Sequence, residues 1–273
     1  ALRRGLEAPV DKEELVAETR SAASELLSRE GVGPEQASNV WSRLNDDYFL
    51  RHTPAEIAWH TRLIAEREPG DTSPLVAVRE TPERGGNAVL TFMTHRQQNF
   101  SRTTALLDQM GLNILDARIT PLDGGLSLDT YLVLEDNGAP VSDRHRAHEI
   151  EQQLWRTQSD DAKWPVVTRR APRQVRMFST PTQITFTEDP VRHRTVLELI
   201  AGDRPGLLSE IGKVLLAERV DVVTARIMTI GERAEDVFYI TDELGRQLPD
   251  DTRLRLEEHL HNALDLRDAA KIA

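Results

Sequence analysis

The sequence predicts an α+β fold, in which a helical segment is followed by two copies of a small domain. Each copy is expected to hold a four-stranded antiparallel sheet with two helices on one face. Three observations predict this: residues 1–70 carry helical periodicity, one order of strands and helices occurs twice, and strand residues alternate between apolar and polar. We place the first domain at 71–160 and the second at 182–273, with a linker at 161–181.

The N-terminal segment is expected to contain three helices. Asp11 and Glu14 form a capping box that begins the first helix. Pro34 begins a second helix that runs through Leu50, and Pro54 begins a third, because proline is tolerated in the first helical turn. A run rich in proline, glycine, serine and aspartate then separates this segment from the remainder of the chain.

The remainder of the chain repeats itself. Val89-Leu90 recurs as Val196-Leu197, and a later Ala-Arg-Ile triplet also occurs in both halves. Self-similarity over so long a period indicates two copies of one domain rather than a solenoid of short repeats. In the second copy the predicted elements are 195–200 (strand), 206–218 (helix), 220–230 (strand), 236–241 (strand) and 251–266 (helix).

The fourth strand of each copy is expected on its N-terminal side. Residues 75–79 and 181–187 each precede the first repeated strand by a short turn, which is the arrangement of a β-hairpin. In the second repeated strand, Val223 and Ala225 alternate with more polar residues. This parity is expected to put the side chain of Asp221 at the sheet edge near the turn that begins the helix.

That turn, between the first repeated strand and the first helix of the second copy, carries a distinctive motif. Pro205 suits the first helical position, and Gly206 has no side chain to block an approaching group. The N–H groups at such a helix start favour a carboxylate or another anion. An ordinary capped helix start, with Asp203 as the N-cap, is the alternative. The candidate ligand-binding residues of the turn are Gly202, Asp203, Arg204, Pro205, Gly206, Leu207 and Leu208.

The order of elements and this glycine-bearing turn resemble the ACT domain, a ferredoxin-like module that senses small molecules and usually binds amino acids. The resemblance implies that two such units pair side by side. If the second copy binds an amino acid, its turn would hold the α-carboxylate and Asp221 the α-ammonium, although Asp221 also suits a plain strand start. In the first copy Gln97, Gln98 and Asn99 occupy the turn, and Asn113 aligns with Asp221. Because this turn lacks the glycine, the first copy could instead be a structural partner of the second.

A narrower resemblance rests on residues 48–61, which include His52, Trp59 and His60 and precede the two sensing units. Together they are similar to the C-terminal part of the bifunctional uridylyltransferase and uridylyl-removing enzymes of bacterial nitrogen control. The resemblance implies an enzyme that attaches UMP to the PII signal protein when glutamine is scarce and removes it when glutamine is plentiful. It implies glutamine as the allosteric ligand and PII as a partner of the full-length enzyme. Magnesium is expected only in the catalytic domains, which the resemblance places outside this chain.

The composition argues against several other classes of function. A net charge of -11 argues against a nucleic-acid-binding surface, since neutralising phosphates requires clustered lysine and arginine. The absence of cysteine removes disulfides and thiolate chemistry. Without a long apolar run or a signal peptide, we expect no membrane association and a cytoplasmic location. The first residue is Ala1 rather than methionine, so we expect a piece of a longer protein.

Catalytic signatures are also missing from the sequence. No glycine is followed by serine, as a nucleotidyltransferase turn requires, and no histidine is followed by aspartate, as an HD-type phosphohydrolase requires. We therefore expect no catalytic residue and no metal ligand set in this chain. Two alternatives to the glutamine sensor stay open: an interaction module that binds no metabolite and mediates domain, subunit or PII contacts, and a tandem sensor attached to a different enzyme.

Overall fold

The computed structural model describes most of the chain, namely residues 12–68, 70–71, 73–94, 98–122, 124–157, 180–230 and 233–269. Two compact units are formed, one by Ala1–Ser73 with Leu122–Gly125 and the other by Pro74–Pro121 with Leu126–Ala273. Asp11, Gln97 and most of the expected linker lie outside the described residues.

The N-terminal unit contains four helices in its described part, not the three that were expected. They are α1 (Lys12–Arg29), α2 (Pro34–Trp41), α3 (Asp46–Arg51) and α4 (Pro54–Ala65). The single helix expected from Pro34 to Leu50 is wrong, because Asn45 interrupts it as an N-cap whose side chain accepts a hydrogen bond from the Tyr48 N–H at 3.1 Å. At α4 the expected start at Pro54 is confirmed, and Thr53 caps it.

The second unit contains both repeats, and we call them the first repeat and the second repeat. The first repeat comprises β1 (Leu75–Thr81), β2 (Gly86–Thr94), α5 (Gln98–Gln109), β3 (Leu112–Leu122), β4 (Leu126–Glu135) and α6 (Arg144–Thr157). The second repeat comprises β5 (Gln183–Asp189), β6 (Arg194–Gly202), α7 (Leu207–Ala217), β7 (Val220–Arg226), β8 (Thr229–Ile230), β9 (Arg233–Asp242) and α8 (Asp250–Ala269). The expected α+β class and the repeated order of elements are confirmed.

All strands of the second unit belong to one antiparallel sheet in the order β1-β2-β4-β3-β7-β9-β6-β5, with β8 paired to β9. Each repeat begins with a hairpin, since β1 pairs with β2 and β5 pairs with β6. The prediction that each fourth strand comes from the N-terminal side is therefore confirmed.

The two repeats meet where β3 pairs with β7. The register joins Asp116 to Arg226, Ala117 to Ala225 and Arg118 to Thr224, and this short ladder has only these three pairs. The Thr224 hydroxyl adds a hydrogen bond to the carbonyl of Ala117 at 2.9 Å. The hydrogen-bonded sheet is thus continuous across the boundary between the repeats.

The regular alternation expected in β7 is wrong. The register with β9 shifts between Val222 and Thr224, so that Val220, Val222 and Ala225 are buried while Val223 is not. Such a bulge inserts one residue and exchanges the faces on which the following side chains lie. The parity that was used to orient Asp221 therefore does not hold along the whole strand.

Helices α5 and α7 cover one face of the sheet and pack against each other across the boundary. Their close approach centres on Gly212, where an added Cβ would lie 2.8 Å from the Cβ of Ser101. The Ser101 hydroxyl donates a hydrogen bond to the carbonyl of Ser209 at 2.9 Å, and Phe100 meets Phe238 edge to face. The cores of the two repeats are continuous through these contacts.

Candidate functional site

A cavity of about 390 Å³ lies at the boundary between the repeats, and we call it the seam cavity. The first repeat contributes the end of α5 and the start of β3. The second repeat contributes the turn before α7, the β7–β8 connection and part of β9. Its polar lining residues include Thr104, Asp108, Asn113, Asp203, Arg204, Ser209, Thr229 and Asp236.

The turn at the seam cavity is shaped by Gly206, which has φ +85° and is the N-cap of α7. This left-handed conformation is strained for residues with a side chain. Two expectations are corrected here. Pro205 does not occupy the first helical position, because α7 begins at Leu207, and Asp203 is not the N-cap. The carboxylate of Asp203 instead accepts a hydrogen bond from the Thr229 hydroxyl at 3.2 Å.

The helix start offers hydrogen-bond donors to the cavity. The N–H groups of Leu208 and Ser209 have no partner among the described residues, as is usual in the first turn of a helix. The N–H of Gly206 is engaged, because it donates to the carboxylate of Asp108 from α5 of the first repeat. A carboxylate thus already lies at the helix start, which is the group that this position favours.

Arg204 adds little positive charge to the cavity because its guanidinium pairs with the carboxylate of Glu210 at 2.5 Å. Both side chains are largely buried. The pair joins the turn to the first part of α7, so Arg204 fixes the shape of the turn.

Asp236 is one of the cavity residues that were not predicted from the sequence, as are Asp108, Ser209 and Thr229. The side chain of Asp236 is only 1% exposed; one carboxylate oxygen accepts the Met228 N–H at 3.3 Å, and the other has no hydrogen-bond partner in the described part of the chain. Burial raises the pKa of Asp236 to about 7, the hydrogen bond from Met228 opposes this shift, and the charge of Asp203 adds to it. The hydroxyl of Ser209 is likewise buried without a hydrogen-bond partner among the residues that the structure describes.

A sequence signal for Asp236 did exist. Asp129 stands at the equivalent position of β4 in the first repeat, and it is also fully buried. Burial raises its pKa to about 7, against a hydrogen bond from Ser127 and one from the backbone of Thr120. An aspartate thus occurs at the equivalent position of an apolar strand in both repeats. Because burying a carboxylate costs free energy, such a recurrence indicates a candidate site.

Of the other predicted binding residues, some line the seam cavity and some lie elsewhere in the two repeats. Asn113 lines the seam cavity together with the turn of the other repeat, whereas Asp221 does not line it and lies opposite Thr241 in the sheet. Gln98 and Asn99 begin α5, and the Asn99 amide donates to the carbonyl of Thr94 at 3.0 Å. Their roles in ligand binding stay predictions, as do those of the turn residues.

The described ranges contain neither a metal-binding cluster nor a helix suited to span a membrane. No group of three or more histidine, aspartate or glutamate side chains there has an arrangement that could hold a metal ion. None of the helices in the same ranges combines the length and the apolarity that crossing a membrane requires.

Two segments of the chain match known families. Residues 11–63 match the family described as uridylyltransferase GlnD fifth domain, and residues 195–257 match the ACT domain. The first match covers the helical segment, and the second covers the part of the second repeat that contains the glycine-bearing turn and the strand of Asp236.

Several bacterial proteins are similar to nearly the whole chain. A bifunctional uridylyltransferase/uridylyl-removing enzyme of Pseudomonas savastanoi pv. phaseolicola (strain 1448A / Race 6) is 43% identical over 255 residues, which cover 92% of this chain and 28% of the relative. The enzyme of the same description from Pseudomonas entomophila (strain L48) is 40% identical over 277 residues, which cover 99% of this chain and 31% of the relative. This chain thus spans under a third of the length of these relatives.

Proposed function

We infer the role of this chain from its family, the bifunctional uridylyltransferase/uridylyl-removing enzymes, of which it is a C-terminal region with an ACT domain. A regulatory role is consistent with this membership. We propose that the chain senses glutamine and thereby controls the catalytic domains of a longer enzyme. Those domains would act on the PII signal protein and would hold any magnesium that the reactions need.

The seam cavity is the observation that carries this proposal. Its walls come from both repeats, and it contains buried polar atoms without partners beside the start of α7. Buried polar atoms are normally hydrogen-bonded, so unpartnered ones that line a cavity favour a polar ligand. Glutamine has a carboxylate, an ammonium and an amide, which match donors and acceptors of the lining.

A ligand in this position would bias the arrangement of the two repeats. Control of attached domains requires that glutamine bind one arrangement more tightly than another. A tenfold bias requires a difference of about 1.4 kcal/mol, which a few hydrogen bonds across the seam can supply. We propose that the paired repeats are the element whose arrangement glutamine selects.

Calorimetric titration of this chain with L-glutamine tests the proposal, with D-glutamine and L-glutamate as matched controls for stereochemistry and charge. We expect saturable binding of L-glutamine, weaker binding of both controls, and a rise in the free energy of unfolding of about 2.7 kcal/mol at a hundredfold excess over the Kd. Absence of heat and of thermal stabilisation at millimolar glutamine would contradict the sensor and favour the interaction module.

A further inference from the structure

Asp236 is a buried carboxylate in the lining of the seam cavity. One of its carboxylate oxygens is committed to the Met228 N–H and holds the β7–β8 connection against β9. The other oxygen is buried and has no partner in the described part of the chain. One oxygen can therefore hold the side chain in place while the other contacts a ligand.

The surroundings of this free oxygen are acidic. Asp203 lies close enough for its charge to add to the raised pKa of Asp236, and both residues line the cavity. The arginine of the lining, Arg204, is engaged by Glu210. Since a buried carboxylate is costly unless a positive charge or a donor reaches it, this end of the cavity favours a cationic group with N–H donors.

Groups of the opposite polarity line the same cavity at the start of α7. The N–H groups of Leu208 and Ser209 and the Ser209 hydroxyl are donors at a helix start, where negative charge is stabilised. A simple anion would leave the carboxylate of Asp236 without a partner, and a simple amine would leave the donors unused. A group that carries a cation and an anion on neighbouring atoms satisfies both sets.

We propose that Asp236, with Asp203 beside it, recognises the ammonium group of an α-amino acid whose carboxylate is bound at the start of α7. This assignment rests on the proposed sensor function and identifies the residue that determines its ligand class. It replaces Asp221 as the binding partner of the ammonium. Asp129 is buried at the equivalent position of the first repeat, and within the described residues one of its oxygens also has no partner.

The test combines one substitution with ligands that lack one charge. Calorimetry would compare L-glutamine, glutaramic acid, which lacks the α-amino group, and 4-aminobutanamide, which lacks the α-carboxylate. In the wild type, glutaramic acid is expected to bind at least roughly 30-fold more weakly than glutamine, as for loss of a buried charge pair. The variant Asp236→Asn is expected to weaken glutamine binding by a similar factor and to leave glutaramic acid binding unchanged within about twofold.

The matched control is Glu235→Gln, which neutralises the neighbouring carboxylate on β9 and should bind all three ligands like the wild type. An Asp236→Asn protein that loses affinity for glutamine and glutaramic acid equally would overturn the proposal, since that is the result of a merely structural role. If this variant does not fold, equal affinity of the wild type for glutamine and glutaramic acid overturns it instead.

Failure of the sensor function gives a different result. In that case the wild type does not bind glutamine, and titration with the other α-amino acids then decides the assignment of Asp236. Binding of any of them that requires its α-amino group and is weakened by Asp236→Asn supports the assignment, and absence of binding for all of them overturns it.

Discussion

At the residue scale, two aspartates of the second unit are buried at a cost in free energy. Asp129 and Asp236 stand at equivalent places in the two repeats, and burial raises the pKa of each to about 7. Both therefore keep a proton in the folded protein at a pH where the unfolded chain has lost it. A feature that lowers stability near neutral pH and occurs twice is typical of a functional position.

The two aspartates predict how stability depends on pH. Because their pKa is raised on folding, the folded state binds more protons between about pH 4 and pH 7, so the free energy of unfolding falls as pH rises through this range. Each pKa unit corresponds to about 1.4 kcal/mol. Between about pH 5 and pH 8 the free energy of unfolding of the wild type should fall. For the double variant Asp129→Asn/Asp236→Asn we expect this fall to be smaller by at least about 2 kcal/mol.

Urea denaturation at a series of pH values measures this difference. Carboxylates whose pKa is lowered by hydrogen bonds, such as Asp242 and Asp265, act in the opposite direction but are present in both proteins and cancel. Glu235→Gln serves as the control and should follow the wild type. Parallel stability curves for the double variant and the wild type would show that the two aspartates are not protonated on folding.

At the element scale, the contact between α5 and α7 depends on the absence of a side chain at Gly212. An alanine there would place its Cβ 2.8 Å from Ser101 Cβ and 3.0 Å from Ser101 Cα, which the backbone of α5 cannot easily avoid. We expect Gly212→Ala to lower the free energy of unfolding by about 1–3 kcal/mol through overpacking and to weaken ligand binding, since the cavity walls move with the helices.

Thermal denaturation and calorimetry of the variant measure both effects. Lys213→Ala is the control, because it introduces alanine at the next, exposed position of α7 by truncating the lysine side chain and so adds no atom to the helix contact. Unchanged stability of Gly212→Ala would mean that the two helices can separate without cost. In that case close helix packing would not hold the seam in shape.

At the scale of the whole molecule, Asp108 links the two repeats through the hydrogen bond that it accepts from the Gly206 N–H. Its carboxylate lies where the carboxylate of a ligand would be favoured, so under the proposed function protein and ligand would compete for the helix start. We expect Asp108→Asn, which removes this charge, to raise the affinity for glutamine by about tenfold, as for loss of one charge-assisted hydrogen bond. Calorimetry measures the change.

A control for Asp108 is Glu258→Gln, which removes one negative charge from an exposed position of α8. It should leave the affinity for glutamine unaltered. Weaker binding by Asp108→Asn would indicate that the carboxylate supports the bound state, by contacting the ammonium or by shaping the turn, and would rule out competition.

The sequence predicted those parts of the fold that local patterns encode. The repeat, the N-terminal hairpin strands and the helix after the glycine turn all follow from periodicity and turn chemistry. Asn45 and the bulge after Val222 were missed, because a cap inside a continuous apolar period and an inserted residue leave the pattern almost unchanged. The helix start shifted from Pro205 to Leu207 because Gly206 adopts a conformation that proline rules do not describe.

The candidate site was predicted only in its local part. The turn and Asn113 were named from the sequence, but their meeting across two repeats depends on the pairing of β3 with β7, which no short-range pattern reveals. Asp236 was visible as a repeated aspartate, yet its burial is a property of the assembled sheet and of the helices above it.

The short ladder between β3 and β7 also has a mechanical consequence. Three register pairs join the repeats, whereas seven join β1 to β2 and eight join β6 to β9. Once the contact between α5 and α7 has opened, force that pulls β3 away from β7 is therefore expected to separate this ladder before it separates either hairpin. A small molecule that contacts both sides of the joint would raise the rupture force, so occupancy could be read by pulling on the chain.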